Sequence, residues 1–445
     1  MLKPASDMEV STMRLLSFRR TALFVGLAGL VASLAGAGTA SAEGSQGATG
    51  NNDGVALASS GPLHQVATVK FPSPYLNPKS FDISWVDSQT QTYYLADRTN
   101  NGVDAINAAT DTFEGVIGAG NFSGTGATAS STQKATCGPF GVGGPNGTLV
   151  LNIGGVTQLW AGDGVTSTSP VSSVKVFDLN SPSKGTLAAT IPTGGTCRAD
   201  ELAYDPVDHL VVIANDVDTP PYLTFISVSP NPTNDRVVGR IPFANAIDGI
   251  EQPAWNPAND MFYVNIPQIP TTNGSWMGEV AIIKPQTMSV VNTFPVPGCS
   301  PAGLAINVQR QQMLLGCSGD AIAGDTVNGV AYSANRAVSY IMDARNGRIV
   351  ASFPQVGGSD EVWYNPSSRN YYLAASNMTS NGMSTGYSSP VLGVISSSGN
   401  RWLENVPTTA SAHSVASNPA NGQVFVPVPG YGIAVFAGSG HGKDS

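Results

Sequence analysis

A phrase that returns about every fifty residues limits what this chain can fold into. The phrase is clearest as SDEVWYNP. Variants of it are RADELAYDP, GIEQPAWNP and SAHSVASNP, which begin at Arg198, Gly249 and Ser411. Each copy is a short, largely apolar stretch that ends at an Asn-Pro or Asp-Pro step, a combination that favours a turn. The phrase therefore marks the end of one strand in a repeated unit.

The Asn or Asp of the phrase, here called the turn position, gives the period of the repeat. The intervals are 51, 51, 58 and 53 residues between Asp205, Asn256, Asn307, Asn365 and Asn418. Asp87 fits the same position 118 residues before Asp205, about two periods, and Pro145 of GPNGTLVLN lies near the midpoint. The spacing predicts seven repeats.

Each repeat has the composition of four short strands. A second strand follows the turn position, as in TYYLAD (Thr92–Asp97) and LVVIAN (Leu210–Asn215), and EVAIIKP and RVVGRIPF represent the third and fourth. Charged residues make up 11% of the chain, against about 25% in ordinary globular domains, and long helical patterns are absent. These features predict an all-β, seven-bladed β-propeller. The lone strand HQVATVKF (His64–Phe71) is expected to complete the last blade beside GIAVFAG (Gly432–Gly438) and so close the ring.

The repeats resemble those of YVTN-type seven-bladed propellers. The resemblance rests on the period, the rhythm AYDP…VVIAN and the strand FYVNI, and it covers roughly residues 63–438. The literal YVTN tetrapeptide is missing, and FYVNI is the nearest match. The broader architecture is similar to that of gluconolactonase-like propellers and virginiamycin B lyase, which implies a metal near the central axis. The ligand motifs of those families do not match this chain residue by residue, so the resemblance assigns no catalytic residue.

The N-terminal residues have the pattern of an export signal. Arg14, Arg19 and Arg20 precede the apolar run ALFVGLAGLVASLAGAG, and ASA ends at residue 42 as a cleavage pattern. We therefore expect a signal peptide at 1–42, a flexible segment at 43–62, the propeller at 63–438 and a disordered tail at 439–445. The alternative is that the apolar run stays as a membrane anchor.

The charge excludes one class of partner. The whole chain carries a net charge of −9, and loss of the four basic and two acidic residues before residue 43 makes it −11. No basic run of five or more occurs. An acidic surface repels phosphate, so nucleic acid is excluded as a partner. With no second apolar run of spanning length, the mature chain is expected to be soluble, in the periplasm or secreted.

One residue in each blade is expected to face the propeller axis, because the first strand of a blade lies nearest to it. Counting back five residues from the turn position selects these residues. From blade one to blade seven they are Asp82, Phe140, Asp200, Glu251, Ala302, Asp360 and His413. The polar members form two arcs, one on blades six, seven and one, and one on blades three and four.

The acids and the histidine of this ring are the candidate metal ligands. Four carboxylates that face one another repel by about 0.4–2 kcal/mol per pair at about 8–10 Å, so a cation, protonation or Arg198 is expected to offset them. Asp82, Asp200, Glu251, Asp360 and His413 can bind a divalent metal, and Ca, Mg, Mn, Zn and Fe are not distinguished. As catalytic residues, His413 would be a general base beside Asp360. Alternatively, the polar residues only line a water-filled channel.

Two arginines are candidate ligand-binding residues. Arg98 follows the second strand of blade one and lies next to Asp97, with which it can form an ion pair. It can instead bind a substrate carboxylate. Arg198 lies two residues before Asp200 and can do either as well.

The four cysteines fit an exported protein, and the propeller predicts how they pair. Cys137 and Cys197 each lie three residues before the axis position, on adjacent blades. Cys299 lies three residues before Ala302, and Cys317 ends the second strand of the same hairpin. The predicted disulfides are Cys137–Cys197 and Cys299–Cys317. Zinc binding is disfavoured because there is no CxxC pair.

Three functions remain open on the sequence. The first is an exported propeller that binds a divalent metal or a small ligand in its central funnel. The second is a metal-assisted hydrolase or lyase, similar to a lactonase, that uses the ring acids and His413. The third is a scaffold that binds another exported protein.

Overall fold

The computed structural model describes residues 63–138, 141–181, 185–272, 276–317, 326–327, 330–331, 338–378 and 390–438. The predicted signal peptide (1–42), flexible segment (43–62) and tail (439–445) lie outside the described residues, as does Phe140. Within the described residues, no helix is long and apolar enough to cross a membrane.

Seven antiparallel sheets of four strands form the blades of the propeller, as predicted. Blade one consists of β2 (Phe81–Asp87), β3 (Thr92–Asp97), β4 (Gly102–Asn107) and β5 (Thr112–Ile117). Blade two consists of β6 (Thr148–Ile153), β7 (Val156–Asp163), β8 (Ser173–Asp178) and β9 (Thr186–Pro192). Blade three consists of β10 (Leu202–Asp205), β11 (Leu210–Asn215), β12 (Tyr222–Ser227) and β13 (Arg236–Pro242). Blade four consists of β14 (Pro253–Asn256), β15 (Met261–Pro270), β16 (Trp276–Lys284) and β17 (Ser289–Val296).

The remaining blades follow the same order. Blade five consists of β18 (Pro301–Asn307), β19 (Gln312–Cys317), β22 (Ser339–Asp343) and β23 (Ile349–Ser352), with the short pair β20 (Thr326–Val327) and β21 (Val330–Ala331) between β19 and β22 in the chain. Blade six consists of β24 (Gly357–Asn365), β25 (Asn370–Met378), β26 (Val391–Ser396) and β27 (Arg401–Pro407). Blade seven consists of β28 (Ala416–Ser417), β29 (Val424–Val428), β30 (Gly432–Gly438) and β1 (Leu63–Val69). The helices are α1 (Ser131–Cys137) and two 3₁₀ turns, Pro232–Asn234 and Pro285–Thr287.

The ring closes in the predicted way. The N-terminal strand β1 pairs antiparallel with β30, the last strand of the described chain, from Leu63 opposite Gly438 to Val69 opposite Ile433. Blade seven thereby gains its outer strand from the other end of the propeller. The closure links the two ends of the fold and pairs an edge that would otherwise be open.

The turn position holds Asn or Asp because its side chain closes the turn. The Asp205 carboxylate accepts hydrogen bonds from the backbone N–H groups of Val207 and Asp208, at 2.7 and 3.2 Å. The Asn365 side chain accepts the equivalent bond from Ser367, at 2.8 Å. Asn and Asp readily form such turns. The repeated phrase therefore encodes the hairpin between the first and second strands of each blade.

The core is a ring of apolar clusters, one at each of the seven junctions between blades in the described part of the chain. Between blades three and four, Phe225 packs edge to face on Phe262, with ring centroids 6.5 Å apart. Between blades seven and one, Tyr93 stacks on Phe425 at 5.0 Å. Burying one such side chain stabilises the fold by about 1.5–3 kcal/mol. Because the apolar side chains pack between the blades, the axis is left for polar residues.

Both predicted disulfides are confirmed. Cys137–Cys197 joins α1 to the segment before blade three, with Cα atoms 5.5 Å apart. Cys299–Cys317 joins the two ends of the first hairpin of blade five, with Cα atoms 5.2 Å apart. The described residues contain no free cysteine.

Blade two departs from the alignment that puts Pro145 at its turn position. Leu151 pairs with Gln158, in the register in which Asp87 pairs with Thr92 in blade one. The connection after β5 is long and holds α1, so the first strand of blade two begins later than an even period predicts. The turn position of blade two is therefore Leu151.

Candidate functional site

The first strands of blades one, two, three, five and six carry a β-bulge where they approach the axis. In blade three, the Asp200 N–H donates to the Ala214 carbonyl at 2.8 Å, and the Ala214 N–H donates to the Glu201 carbonyl at 3.0 Å. Two consecutive residues therefore oppose one residue of the partner strand. Asn146 and Gly147 form the equivalent bulge in blade two. A first strand with such a bulge thus contributes two consecutive residues near the axis.

These residues form two layers along the channel. The first layer consists of Asp82, Asn146, Asp200, Glu251, Ala302, Asp360 and His413. The second layer consists of the next residue in each blade, namely Ile83, Gly147, Glu201, Gln252, Gly303, Glu361 and Ser414. The second blade contributes Asn146 rather than the predicted Phe140, because its turn position is Leu151.

Close approach of the backbones explains two glycines of the second layer. A Cβ atom at Gly147 would lie 2.5 Å from the Asp200 carbonyl oxygen, and one at Gly303 would lie 2.4 Å from the Asp360 carbonyl oxygen. Both distances are shorter than a carbon–oxygen contact allows. Glycine at these positions lets the bulge of one blade approach the bulge of a neighbour.

Arg198 neutralises one arc of the first layer. Its Nη2 lies 2.6 Å from Asp200 Oδ2 and 2.8 Å from Asp216 Oδ2, and its Nη1 lies 3.3 Å from Asp82 Oδ2. The Arg198 Nε also donates to Asp216, at 2.9 Å. Burial alone would lower the pKa of Arg198, but the three carboxylates raise it well above its usual range. The guanidinium is thus held as a cation among three acids.

Arg98 has a different partner from the one its sequence neighbour suggested. Its Nη2 donates to Asp82 Oδ2 and, at 2.6 Å, to Asn146 Oδ1. The Asp97 carboxylate instead accepts from the backbone N–H of Thr99, at 2.7 Å. The predicted Arg98–Asp97 ion pair is therefore wrong. Asp82 is held by both arginines through one oxygen, which leaves Oδ1 for other partners.

Asp82, Asp360 and His413, here called the Asp/Asp/His group, form the second arc. One oxygen of each carboxylate and one ring nitrogen of His413 all lie within 4.8 Å of one another. The His413 Nε2 lies 3.5 Å from Asp82 Oδ1. No hydrogen-bond donor among the described residues contacts the Asp360 carboxylate closely enough to bond it, so its oxygens remain available. Two carboxylates and an imidazole this close together could hold a small cation.

The orientation of His413 is fixed from two sides. Its Nδ1 lies 2.9 Å from the Ser411 carbonyl oxygen, to which it donates, and its ring stacks on Phe81 with centroids 4.9 Å apart. A histidine whose Nδ1–H is bonded to a carbonyl presents Nε2 as the metal-binding nitrogen. The ring is therefore held with Nε2 directed toward the two acids.

Burial and charge set the titration of the group. Burial alone would raise the pKa of Asp82, but Arg98, His413 and Arg198 hold it well below its usual range. Burial would lower the pKa of His413, but the bond to Asp82 and the charge of Asp360 raise it to about 9. Burial raises the pKa of Asp360. With its pKa raised in this way, the His413 imidazolium is the cation of the arc.

The predicted metal ligands do not all converge. Asp82, Asp360 and His413 come together, whereas Asp200 is bound by Arg198. Burial and the charge of Asp360 raise the pKa of Glu251 well above its usual range. Glu251 lies in the same layer but outside the Asp/Asp/His group.

The second layer contains two buried acids that the sequence reasoning missed. Glu361 is fully buried, and burial raises its pKa to about 8. Burial and the charge of Glu251 raise the pKa of Glu201 well above its usual range. Counting one residue per blade misses both. The signal was present as consecutive acids in apolar strands, Asp200-Glu201 and Asp360-Glu361, because only a bulge turns both toward the interior.

Comparisons with known proteins show the fold alone. No family model matches the chain, and no curated protein matches it. Among solved structures, the Pan2 WD40 domain of Neurospora crassa is 11% identical with a TM-score of 0.54, over 85% of this chain and 95% of that chain. Hydrazine synthase of Kuenenia stuttgartiensis is 14% identical with a TM-score of 0.48, over 66% of this chain and 80% of that chain. At such identities the likeness concerns the propeller and not the activity.

Proposed function

We propose that this protein is an exported propeller that binds one divalent metal ion at the Asp/Asp/His group. The observation that carries the proposal is the convergence of three ligand atoms within 4.8 Å at the end of the channel where the first layer lies. Two of the three ligands are oriented by contacts of their own: Asp82 by the two arginines, and His413 by Ser411 and Phe81. Such outer contacts are what holds metal ligands in place.

The balance of charge supports a bound cation. The first layer and Asp216 together supply five carboxyl groups, and the basic residues that contact them are Arg98, Arg198 and His413. Both arginines bind carboxylates on the Asp82 and Asp200 side of the ring, so His413 is the base that acts most strongly on Asp360. A divalent ion would bind both carboxylates of the group and replace the proton on His413.

The ligand set favours a transition metal. Two carboxylates with one imidazole suit Mn²⁺, Fe²⁺ or Zn²⁺, whereas Ca²⁺ and Mg²⁺ prefer oxygen ligands alone. We therefore choose Mn²⁺, Zn²⁺ and Ca²⁺ as test ions. Three protein ligands would leave positions for water or a small molecule.

Export and family relation are part of the same proposal. The two disulfides support an oxidising compartment, in agreement with a signal peptide at 1–42 and a periplasmic or secreted protein. The FYVNI segment lies on β15, a second strand, which supports YVTN-type repeats. Partners other than a metal or small ligand stay a prediction.

In the experiment, Mn²⁺, Zn²⁺ or Ca²⁺ is titrated into the metal-stripped protein, and calorimetry measures the binding. We expect about one Mn²⁺ or Zn²⁺ per chain and much weaker binding of Ca²⁺. Asp360→Asn and His413→Ala should each lower the affinity at least about 100-fold, since even outer-contact changes cost about 10- to 100-fold. Glu251→Gln is the matched control, because it alters a buried acid of the same layer outside the group.

Two results would overturn the proposal. One is the absence of stoichiometric binding by any of the three ions. The other is equal loss in Glu251→Gln and Asp360→Asn, which would mean that the ring attracts cations only through its overall charge.

Metal-assisted hydrolysis or elimination is the second candidate. The feature that favours it is Glu251 in the same layer, because burial and the charge of Asp360 raise its pKa and a protonated acid can donate a proton to a leaving group. The metal would polarise a substrate carbonyl or activate water. Loaded protein should hydrolyse a simple lactone, and Glu251→Gln should lose turnover while it keeps metal binding. If the metal-loaded protein does not accelerate lactone hydrolysis, the enzymatic candidate is wrong and metal binding is the remaining function.

A further inference from the structure

A separate cavity continues along the same first strands, toward their C-terminal ends. It has a volume of about 370 Å³ and is lined from Ile83 in blade one to Tyr364 in blade six. This volume lies within the range of small-molecule sites, about 300–1,000 Å³. The lining begins at the second layer, so the cavity and the Asp/Asp/His group are different places in the channel.

Aromatic side chains form much of the cavity wall. Trp85, Tyr204, Trp255 and Trp363 all line it. Trp85 and Trp363 pack edge to face, with ring centroids 5.3 Å apart. Rings fixed in this way offer flat apolar surfaces to a ligand, and the negative face of an aromatic ring attracts cations.

The inner end of the cavity holds two carboxyl groups with unused hydrogen-bonding capacity. Glu361 Oε2 accepts bonds from Ser414 Oγ at 2.6 Å and the Val415 N–H at 2.8 Å, while Glu361 Oε1 has no partner. Glu201 is 4% exposed, and its Oε2 also has no partner. Buried polar atoms without partners are uncommon in folded proteins, and a ligand is one explanation for them.

The charge of the lining selects the kind of ligand. Among the described residues that line the cavity, Glu201 and Glu361 are acids and none is Lys, Arg or His. An anionic ligand would meet carboxyl groups without any counter-charge. An ammonium group would instead donate its N–H bonds to the unpartnered oxygens while its apolar part contacts the rings.

We propose that this cavity binds an organic ammonium ion with an aromatic or aliphatic body. The ammonium would lie against Glu201 and Glu361, and the body between the tryptophan rings. The proposal is independent of the metal site, because it uses the second layer and the strand residues beyond it.

The test uses three probes of similar shape and different charge. Phenylethylammonium, 2-phenylethanol and phenylacetate are titrated into the full mature protein, with tryptophan fluorescence and calorimetry as readouts. We expect phenylethylammonium to bind with a Kd below about 1 mM and at least about tenfold more tightly than the alcohol, with phenylacetate weakest. Equal binding of the cation and the alcohol, or no binding of the cation, would overturn the proposal.

A pair of variants locates the site. Glu201→Gln keeps the side-chain shape and removes no described hydrogen bond, so it should fold, and it should lower ammonium affinity at least about tenfold while alcohol binding stays unchanged. Glu114→Gln makes the same change on the outer strand β5 and should alter neither. If Glu201→Gln binds phenylethylammonium as the wild type does, the ammonium does not lie at this carboxyl and the proposal fails.

Discussion

Two arcs of the same ring carry acids at equivalent positions but have opposite surroundings. In the arc of blades three and four, Arg198 holds Asp200 and Asp216 of blade three at 2.6 and 2.8 Å. In the arc of blades six, seven and one, Asp360 has no arginine bound to it and faces His413. Asp82 lies between the arcs and contacts both. One arc is therefore neutralised by an arginine, which stays charged. The other faces a histidine, which can lose its proton.

The comparison shows that the repeat fixes where an acid lies but not what it does. The position five residues before the turn sends Asp200 and Asp360 to corresponding places near the axis. The base that reaches each acid is specific to one blade: Arg98 follows β3, and Arg198 and His413 each occur in only one copy of the phrase. The charge balance around each acid therefore depends on residues that differ from one blade to the next.

The largest expected effect comes from breaking the arginine arc. Arg198→Met should destabilise the protein by about 3–5 kcal/mol, because it leaves buried carboxylates without their counter-charge. Urea unfolding followed by fluorescence measures the loss. Arg236→Met, on the exposed end of β13, is the control and should change stability by no more than about 0.5 kcal/mol. Similar values for both variants would show that the arc does not depend on its arginine.

Removing the disulfides tests whether the Cys137–Cys197 bond, which is adjacent to Arg198 in the sequence, supports the arginine arc. Replacing Cys137 and Cys197 by Ser should cost about 4 kcal/mol, and replacing Cys299 and Cys317 about 3 kcal/mol, because the sequence separations are 60 and 18. Neither pair contacts the Asp/Asp/His group, so both double variants should keep Mn²⁺ affinity. Loss of metal binding in the Cys137/Cys197 variant would mean that the two arcs are coupled.

A bound metal ion should stabilise the folded protein only when the Asp/Asp/His group is intact. At a free Mn²⁺ concentration of 100 Kd, the wild type should gain about 2.7 kcal/mol of unfolding free energy. Asp360→Asn should abolish this gain, whereas Asp216→Asn, which alters the arginine arc, should retain it. Denaturant unfolding with and without Mn²⁺ makes the measurement, and a gain that survives in Asp360→Asn would contradict the assignment.

A further pair of buried acids extends the comparison, because no basic side chain among the described residues contacts it. The expected effect is smaller. Asp97 and Asp104 lie on β3 and β4, both fully buried, and no donor among the described residues bonds the Asp104 oxygens. Burial raises the pKa of Asp97 to about 6 and that of Asp104 well above its usual range. The folded state therefore keeps protons that the unfolded state loses from about pH 4 upward, so stability should fall as the pH rises through 6.

Asp104→Asn should remove the part of that pH dependence that comes from Asp104, while Asp97 keeps its own. It should raise stability by about 1–3 kcal/mol above pH 7, because it replaces an acid that burial and Asp97 make costly to ionise. Unfolding free energies measured from pH 4 to pH 8 test this. An unchanged pH profile in Asp104→Asn would show that the pair does not control it.

Much of the fold followed from local sequence, because each blade is built by short-range hairpins. The Asn and Asp turn positions, the second strands and the closing strand β1 were predictable, and the disulfides followed from the equivalence of blades. Blade two failed because α1 lengthens the connection before it, so an even period selects Phe140 rather than Asn146.

The site was less predictable for two physical reasons. A long arginine side chain can reach across blades, so the contact between Arg198 and Asp82 depends on packing that no local pattern encodes. Simple strand alternation also sends neighbouring residues to opposite faces, whereas the bulges bring Glu201 and Glu361 inward beside Asp200 and Asp360. The ring and its two arcs could be predicted, but not the arginine contacts that distinguish the arcs or the second layer.

The most direct test of the central claim is a crystal structure of the Mn²⁺-loaded protein with anomalous scattering to locate the ion. The account predicts one peak within about 2.0–2.3 Å of Asp82 Oδ1, an Asp360 oxygen and His413 Nε2, with Arg198 still bound to Asp200 and Asp216. A peak at the Asp200 and Asp216 carboxylates with Arg198 displaced, or the absence of a peak in the channel, would contradict it.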